Sequence, residues 1–213
     1  MPHKLFTLHL TRIGAVLAAL LLLASTGPCL LAQDAPPSLP PPSQTLTANQ
    51  LDNLVAPVAL YPDPLLSQVL VACTYPLEIV QAFQWIGHNP GLTGPALTQA
   101  AQQQNWDPSI QALVVFPDVL KRLNDDITWT TNLGNAFLAQ QQDVMDAVQR
   151  MRQQAQQAGK LASTPQQNVV AENQGGQPYI EIMPVDPDVM YVPCYDPLWI
   201  WGPPLWYPYP HWW

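Results

Sequence analysis

Apolar residues recur at helical spacing through most of 47–158, and proline marks nearly every interruption. Thr47 followed three residues later by Gln50 is a capping-box pattern, and Leu51, Leu54 and Val55 supply the first apolar face. Pro57 stops that helix. Asp63-Pro64 starts the next, with the acid at the N-cap and proline at the first helical position. Leu65, Leu66, Val69, Leu70 and Cys73 form its apolar side. Tyr75-Pro76 opens a third helix striped by Leu77, Val80, Phe83 and Ile86, with Glu78 in its first turn, where the helix dipole favours an acid.

His88-Asn89-Pro90-Gly91 reads as a turn, followed by an Ala/Gln-rich helix over 95–104. Asp107-Pro108 repeats the start signal for a helix carrying Ile110, Leu113 and Val114. Phe116-Pro117-Asp118 opens another, with Val119, Leu120 and Leu123. The longest pattern runs over about 128–158, with Leu133, Phe137, Val144, Val148 and Met151 on one stripe. Arg150 and Arg152 lie toward its C-terminal end, and Gly159 is its stop signal. Gly134 is placed to separate its first turn.

From Thr164 the period changes. Residues 168–171, 179–183 and 189–192 read as short strands, with turn signals at Gly175-Gly176 and Asp186-Pro187 between them. They predict a small antiparallel β-meander leaning on the helices, since so small a sheet is marginal alone. The fold class is therefore mainly α: a bundle of six to seven short helices plus one long helix, then the meander and a Pro/Trp-rich tail.

The tail is the most unusual stretch. Five of the 8 tryptophans lie in 195–213, together with Tyr207 and Tyr209. Six prolines from Pro193 onward forbid a helix or a central strand there. Trp199, Trp201, Trp206, Tyr207, Tyr209, Trp212 and Trp213 are the candidate binding residues, because apolar rings at this density do not belong free in water. Three dispositions are open: folded back over the helices, docked on an envelope protein or glycan, or resting at a membrane interface.

The chain divides into 1–32, 33–46, 47–163, 164–197 and 198–213. Lys4 and Arg12 precede an apolar run over 13–24, the pattern of an export signal, with Leu30-Leu31-Ala32 before a cleavage point. The run is shorter than the ~20 residues of a membrane span. An uncleaved anchor extending to Leu31 is the rival reading, and Pro28 argues against lipid attachment at Cys29. Residues 33–46 form a proline-rich linker.

Without residues 1–32, 5 basic side chains face 15 acids, a net charge of 5 − 15 = −10. That excludes nucleic acid, which needs clustered Lys and Arg, and gives no electrostatic attraction to an anionic lipid surface. Cys73 and Cys194 remain. Export would permit them to form a disulfide, although two cysteines make neither a disulfide framework nor a zinc site.

Chemistry-bearing motifs are sparse. The chain has no HExxH, no CxxC and no glycine-rich phosphate loop, so it calls for no metal or cofactor. Past residue 32 its histidines are His88 and His211, far apart in sequence. Ser67 and Ser109 carry no nucleophile signature. Asp63, Glu78, Asp107 and Asp118 are the best carboxylate set, and helix starts account for all of them. An envelope hydrolase using these helix-start acids is the alternative function they leave open. Asp186, Asp188 and Asp196 are turn acids beside proline that could also serve Ca²⁺. Trp85, Trp106 and Trp129 read as core or rim.

Several motifs together resemble a known family: LDNLVAPVALYPDPLLSQVL at 51–70, Thr74-Tyr75-Pro76, Asn105-Trp106-Asp107, Phe116-Pro117, AFLAQQQDVMDAVQRMR at 136–152, 163–166 and VMYVPCYDP at 189–197. The chain resembles the exported bacterial domain-of-unknown-function family numbered thirty-three hundred over roughly 48–200. The resemblance implies a signal-bearing periplasmic or envelope protein, and brings no activity, cofactor or catalytic residue with it. Cys73 and Cys194 depart from that pattern; a bridge between them stays open beside the reading of one buried thiol and one incidental one. The expected function is a non-catalytic interaction or structural module of the envelope, associated with the membrane through its N-terminus or its aromatic tail.

Overall fold

The computed structural model describes residues 45–174 and 176–203. The expected signal at 1–32, most of the linker, and Trp206, Tyr207, Tyr209, His211, Trp212 and Trp213 lie outside the described residues. Among the described residues the chain is mainly α, with one small antiparallel hairpin after the eighth helix.

The helices are α1 (Ala48–Val55), α2 (Asp63–Ala72), α3 (Pro76–His88), α4 (Gly94–Ala101), α5 (Pro108–Leu113), α6 (Pro117–Asp125), α7 (Ile127–Ala139), α8 (Gln141–Gln157) and α9 (Pro197–Trp201). Thr47 and Gln50 form the expected capping box on α1. Proline takes the first position of α3, α5, α6 and α9, where its missing N–H costs nothing and the residue before it is held out of the helical region. Side chains of Asp107, Asp126 and Asp196 cap α5, α7 and α9. No single helix among the described residues is long and apolar enough to cross a membrane.

Three expectations are corrected. The long helix over 128–158 is two helices, and the break lies at Gln140 (φ −142°, ψ 48°) rather than at Gly134. Gln140 spends its amide on the N-terminal segment, accepting from the N–H of Leu46 at 2.7 Å and donating to its carbonyl at 3.1 Å. Gly134 serves a close approach instead. A Cβ there would lie 2.1 Å from the carbonyl oxygen of Cys73, so only glycine lets α7 cross the end of α2 at this distance.

Second, Asp63 makes no capping bond on α2; its carboxylate is engaged elsewhere, as described below. Third, the meander has two strands, not three. β1 (Gln167–Gln174) and β2 (Gln177–Pro184) pair antiparallel, with Val169 opposite Ile182 and Ala171 opposite Ile180. The place a third strand would take beside β2 is filled by α8. Gln149 accepts from the N–H of Ile180 at 2.8 Å and donates to its carbonyl at 3.1 Å, as a neighbouring strand would. Residues 189–192 run past without pairing.

The core is continuous over α1–α3 and α5–α8, centred on Leu54, Val58, Ala59, Leu66, Val69, Leu120, Leu133 and Val148. A smaller cluster of Leu60, Ala155, Leu161, Ile180 and Ile182 seats the hairpin on α8. Trp129 is buried, and Trp85 and Trp106 pack edge to face at 5.6 Å on the rim, as their reading from sequence expected.

Candidate functional site

The centre of the molecule is a segment without regular structure. Residues 54–62, LVAPVALYP, are buried throughout, yet 56–62 lie in neither helix nor strand. Buried backbone without regular structure must find partners for its carbonyls. Some are local: the N–H groups of Val58 and Ala59 donate to Val55, and that of Tyr61 donates to Val58. The rest come from side chains far along the chain.

Trp129 Nε1 of α7 donates to the carbonyl of Leu54 at 2.9 Å. From α6, Arg122 Nη1 lies 3.2 Å from both the carbonyl of Pro57 and the hydroxyl of Tyr61. Tyr195 donates its hydroxyl to the carbonyl of Ala56 at 2.8 Å and accepts from the N–H of Leu60 at 3.2 Å. Arg152 of α8 does most. Its Nε donates to Ala59 (2.8 Å), Nη1 to Ile180 (2.8 Å) and Nη2 to Tyr61 (3.0 Å), all at backbone carbonyls. Nη2 also meets Asp63 Oδ1 at 2.5 Å, so the buried charge is paired and hydrogen-bonded. This explains why Asp63 is free of capping duty.

Burial pushes the hydroxyls of Tyr195 and Tyr61 above the ordinary tyrosine range; Arg122 works the other way on both without cancelling it. Tyr195 and Arg152 lie inside the motifs quoted above at 189–197 and 136–152, and the segment they serve lies in the third, at 51–70. The residues of those motifs meet here because they complete one another's hydrogen bonds. The sequence signal for Arg152 was its position: Val144, Val148 and Ala155 are buried on the same face of α8, and Arg152 falls four residues past Val148.

The helix-start acids do not gather into one site. Glu78 and Asp107 meet: Glu78 Oε2 accepts from the N–H of Asp107 at 2.7 Å. Asp107 Oδ1 accepts from the N–H of Ser109 at 2.9 Å and from its hydroxyl at 2.6 Å. Desolvation opposes the charge of Asp107, but the bonds from Ser109 and from the hydroxyl of Tyr75 outweigh it and hold its pKa below the usual value. The same charge, with desolvation and the shared bond, pushes Tyr75 up. Asp63 belongs to Arg152, and Asp118 stands in the first turn of α6.

Ser67 donates to the carbonyl of Pro64 at 3.0 Å, and a ring nitrogen of His88 lies 2.7 Å from the carbonyl of Gln84. Asp186 accepts from the N–H of Asp188, and Asp196 from that of Leu198. Among the described residues no three His, Cys, Asp or Glu side chains gather as a metal ion requires. Cys73 and Cys194 are both free thiols, the first buried and the second exposed, which fits the reading of unpaired cysteines rather than that of a bridge. Cys73 sits at the end of α2 beneath Gly134, and burial raises its thiol pKa.

Two of the candidate aromatic residues are described, and they differ. Trp201 is bolted down: its indole N–H donates to the carbonyl of Met151 at 2.9 Å, and its ring meets Tyr195 edge to face at 5.9 Å. Trp199, two residues earlier on α9, is 75% exposed. The Nζ of Lys160 lies 4.7 Å from its ring centroid, a cation–π distance. Lys160 is placed by the turn ending α8. Gly159 takes φ +68°, and the N–H of Lys160 returns to the carbonyl of Ala155 at 2.8 Å, the Schellman arrangement.

Fold and site thus define a small helical domain closed by a strap that carries an outward-facing tryptophan. Residues 47–213 match the family model described as "Protein of unknown function (DUF3300)", and the chain belongs to that family. It is also 41% identical over 212 residues to "Uncharacterized protein YacH" of Escherichia coli (strain K12), an alignment covering 83% of this chain and 34% of the relative. The chain therefore spans about a third of that relative's length. No solved structure matches the chain.

Proposed function

We propose that this protein is an exported module of the bacterial envelope that acts by binding rather than by catalysis, and that its contact surface begins at Trp199. The observation that carries the reading is the contrast on α9. Trp201 is held by Met151 and Tyr195, and that fixed base presents Trp199 to solvent. Asp63, Glu78 and Asp107, with Ser67 and Ser109, which a hydrolase would recruit, are instead engaged in the Arg152 pair, caps and helix bonds. Export rests on the charged and apolar pattern of 1–32.

The test compares Trp199→Ala with Trp201→Ala in the full chain, by thermal unfolding and by affinity capture from envelope extracts. Trp199→Ala is expected to keep the unfolding midpoint and lose the captured partners. Trp201→Ala is expected to lower the midpoint, since it removes a packed ring and a bond to Met151. An unchanged set of partners for a folded Trp199→Ala would overturn the role of this surface. Fractionation of cells checks export, and recovery of the chain in the cytoplasm would overturn it.

A further inference from the structure

We propose that the Trp199–Lys160 end of the domain seats in the interface of a phospholipid bilayer; this deepens the binding role proposed above and rests on it. Lys160 stands apart among the basic side chains of the described residues. Lys121 pairs with Asp125, Arg150 with Asp52 and Arg152 with Asp63, and Arg122 serves Pro57 and Tyr61. Among the described residues Lys160 meets neither carboxylate nor carbonyl, and it lies beside the most exposed large apolar side chain described, Trp199. An indole at headgroup depth with an ammonium reaching lipid phosphate is the pairing that suits the edge of a bilayer.

The chain beyond this point has the same chemistry. Residues 198–213, LWIWGPPLWYPYPHWW, contain no Asp, Glu, Asn, Gln, Ser, Thr, Lys or Arg. A sugar-binding platform needs carboxylates, amides or guanidinium groups around its rings to fix hydroxyl directions. A bilayer interface needs only rings with polar tips, which Trp and Tyr supply. The net charge of −8 adds a condition: beyond the local contact of Lys160 with phosphate the chain as a whole is repelled by negative surfaces, so anionic lipid weakens the attraction.

The test reads the site itself, so lipid contacts made by residues 1–32 do not decide it. Lysine acylation of the full chain is followed by mass spectrometry with and without phosphatidylcholine vesicles. The vesicles are expected to protect Lys160 while Lys121, whose side chain is 58% exposed, stays reactive as the internal reference. Trp199→Ala is expected to raise the lipid concentration for half-protection about tenfold, and replacing part of the lipid with phosphatidylglycerol is expected to raise it too.

Unchanged labelling of Lys160 with vesicles overturns the proposal. So does protection by soluble polysaccharide instead of lipid, or protection without lipid that is relieved by deleting 204–213. If lipid fails but Trp199-dependent capture from extracts persists, the binding role stands and the bilayer does not. If both fail, both readings fall.

Discussion

Arg152 and Asp63 are joined across the core, Nη2 to Oδ1 at 2.5 Å, with the arginine side chain 1% exposed and the aspartate 25%. The pair does more than neutralise charge. The same guanidinium holds the carbonyls of Ala59, Tyr61 and Ile180, tying the irregular segment, the hairpin and α8 into one unit. Arg152→Met takes this partner from the carbonyls of Ala59 and Tyr61 and from Asp63, while the carbonyl of Ile180 keeps Gln149. Removing one member of a buried pair costs about 3–5 kcal/mol. Urea unfolding followed by circular dichroism should show that loss. Arg152→Lys should recover little of it, because one ammonium cannot span the fork; a wild-type midpoint would show that charge alone suffices.

Gly134 is expected to be the least replaceable glycine of the helical domain. In Gly134→Ala the new methyl meets the carbonyl of Cys73, backbone that cannot swing away, so α7 and α2 must separate. Overpacking of this kind costs about 1–3 kcal/mol or more. Gly91→Ala, with nothing within 4 Å of its Cβ, is the matched control and should leave the midpoint within about 0.5 kcal/mol of wild type.

Tyr195→Phe keeps the ring against Trp201 but removes the hydroxyl shared by Ala56 and Leu60. One buried carbonyl and one N–H lose a partner, at about 1–3 kcal/mol each. Tyr195 also contributes to the alkaline limit, together with the buried Tyr61 and Cys73. Its folded pKa lies above the ordinary 10.0, so its stabilisation is complete below that pH and is lost as pH rises past it. Alkaline unfolding of Tyr195→Phe should therefore be less steep than that of wild type, even from a lower starting stability.

Asp107 acts at the other end of the scale. Its folded pKa is held below the ordinary 3.8, so the contribution is present above that value and lost as pH falls through the lowered one. Asp107→Asn should flatten the acid limb of the stability profile. A hydrolase using Asp107 would in addition lose an activity in a variant that stays folded.

Much of the frame was legible in sequence because its signals are local. Asp107-Pro108, Phe116-Pro117 and the Thr47/Gln50 box each fix a helix start with a few neighbouring residues. The errors came where a distant partner decides. Gly134 looks like a break until Cys73 is seen beneath it. Asp63 has the spelling of a cap, but a buried guanidinium outcompetes an exposed helix end for its carboxylate. The third strand was lost to Gln149, whose amide imitates a strand edge from a helix, and no periodicity reports that. At the candidate site, Trp199 and Trp201 read alike in sequence, and only the carbonyl of Met151 separates anchor from free surface.

The way residues 54–62 are completed also dictates when the protein can fold. The groups that hold this segment sit 65, 75, 93 and 139 positions away along the chain, at Arg122, Trp129, Arg152 and Tyr195. Such distant closures slow folding, because chain entropy is lost before the contacts repay it. A ribosome would release the most apolar stretch of the domain early and Tyr195, the last of these donors, 139 positions after Ala56. Until Tyr195 emerges, this centre stays unfinished, and the apolar segment waits on donors that the ribosome has yet to release.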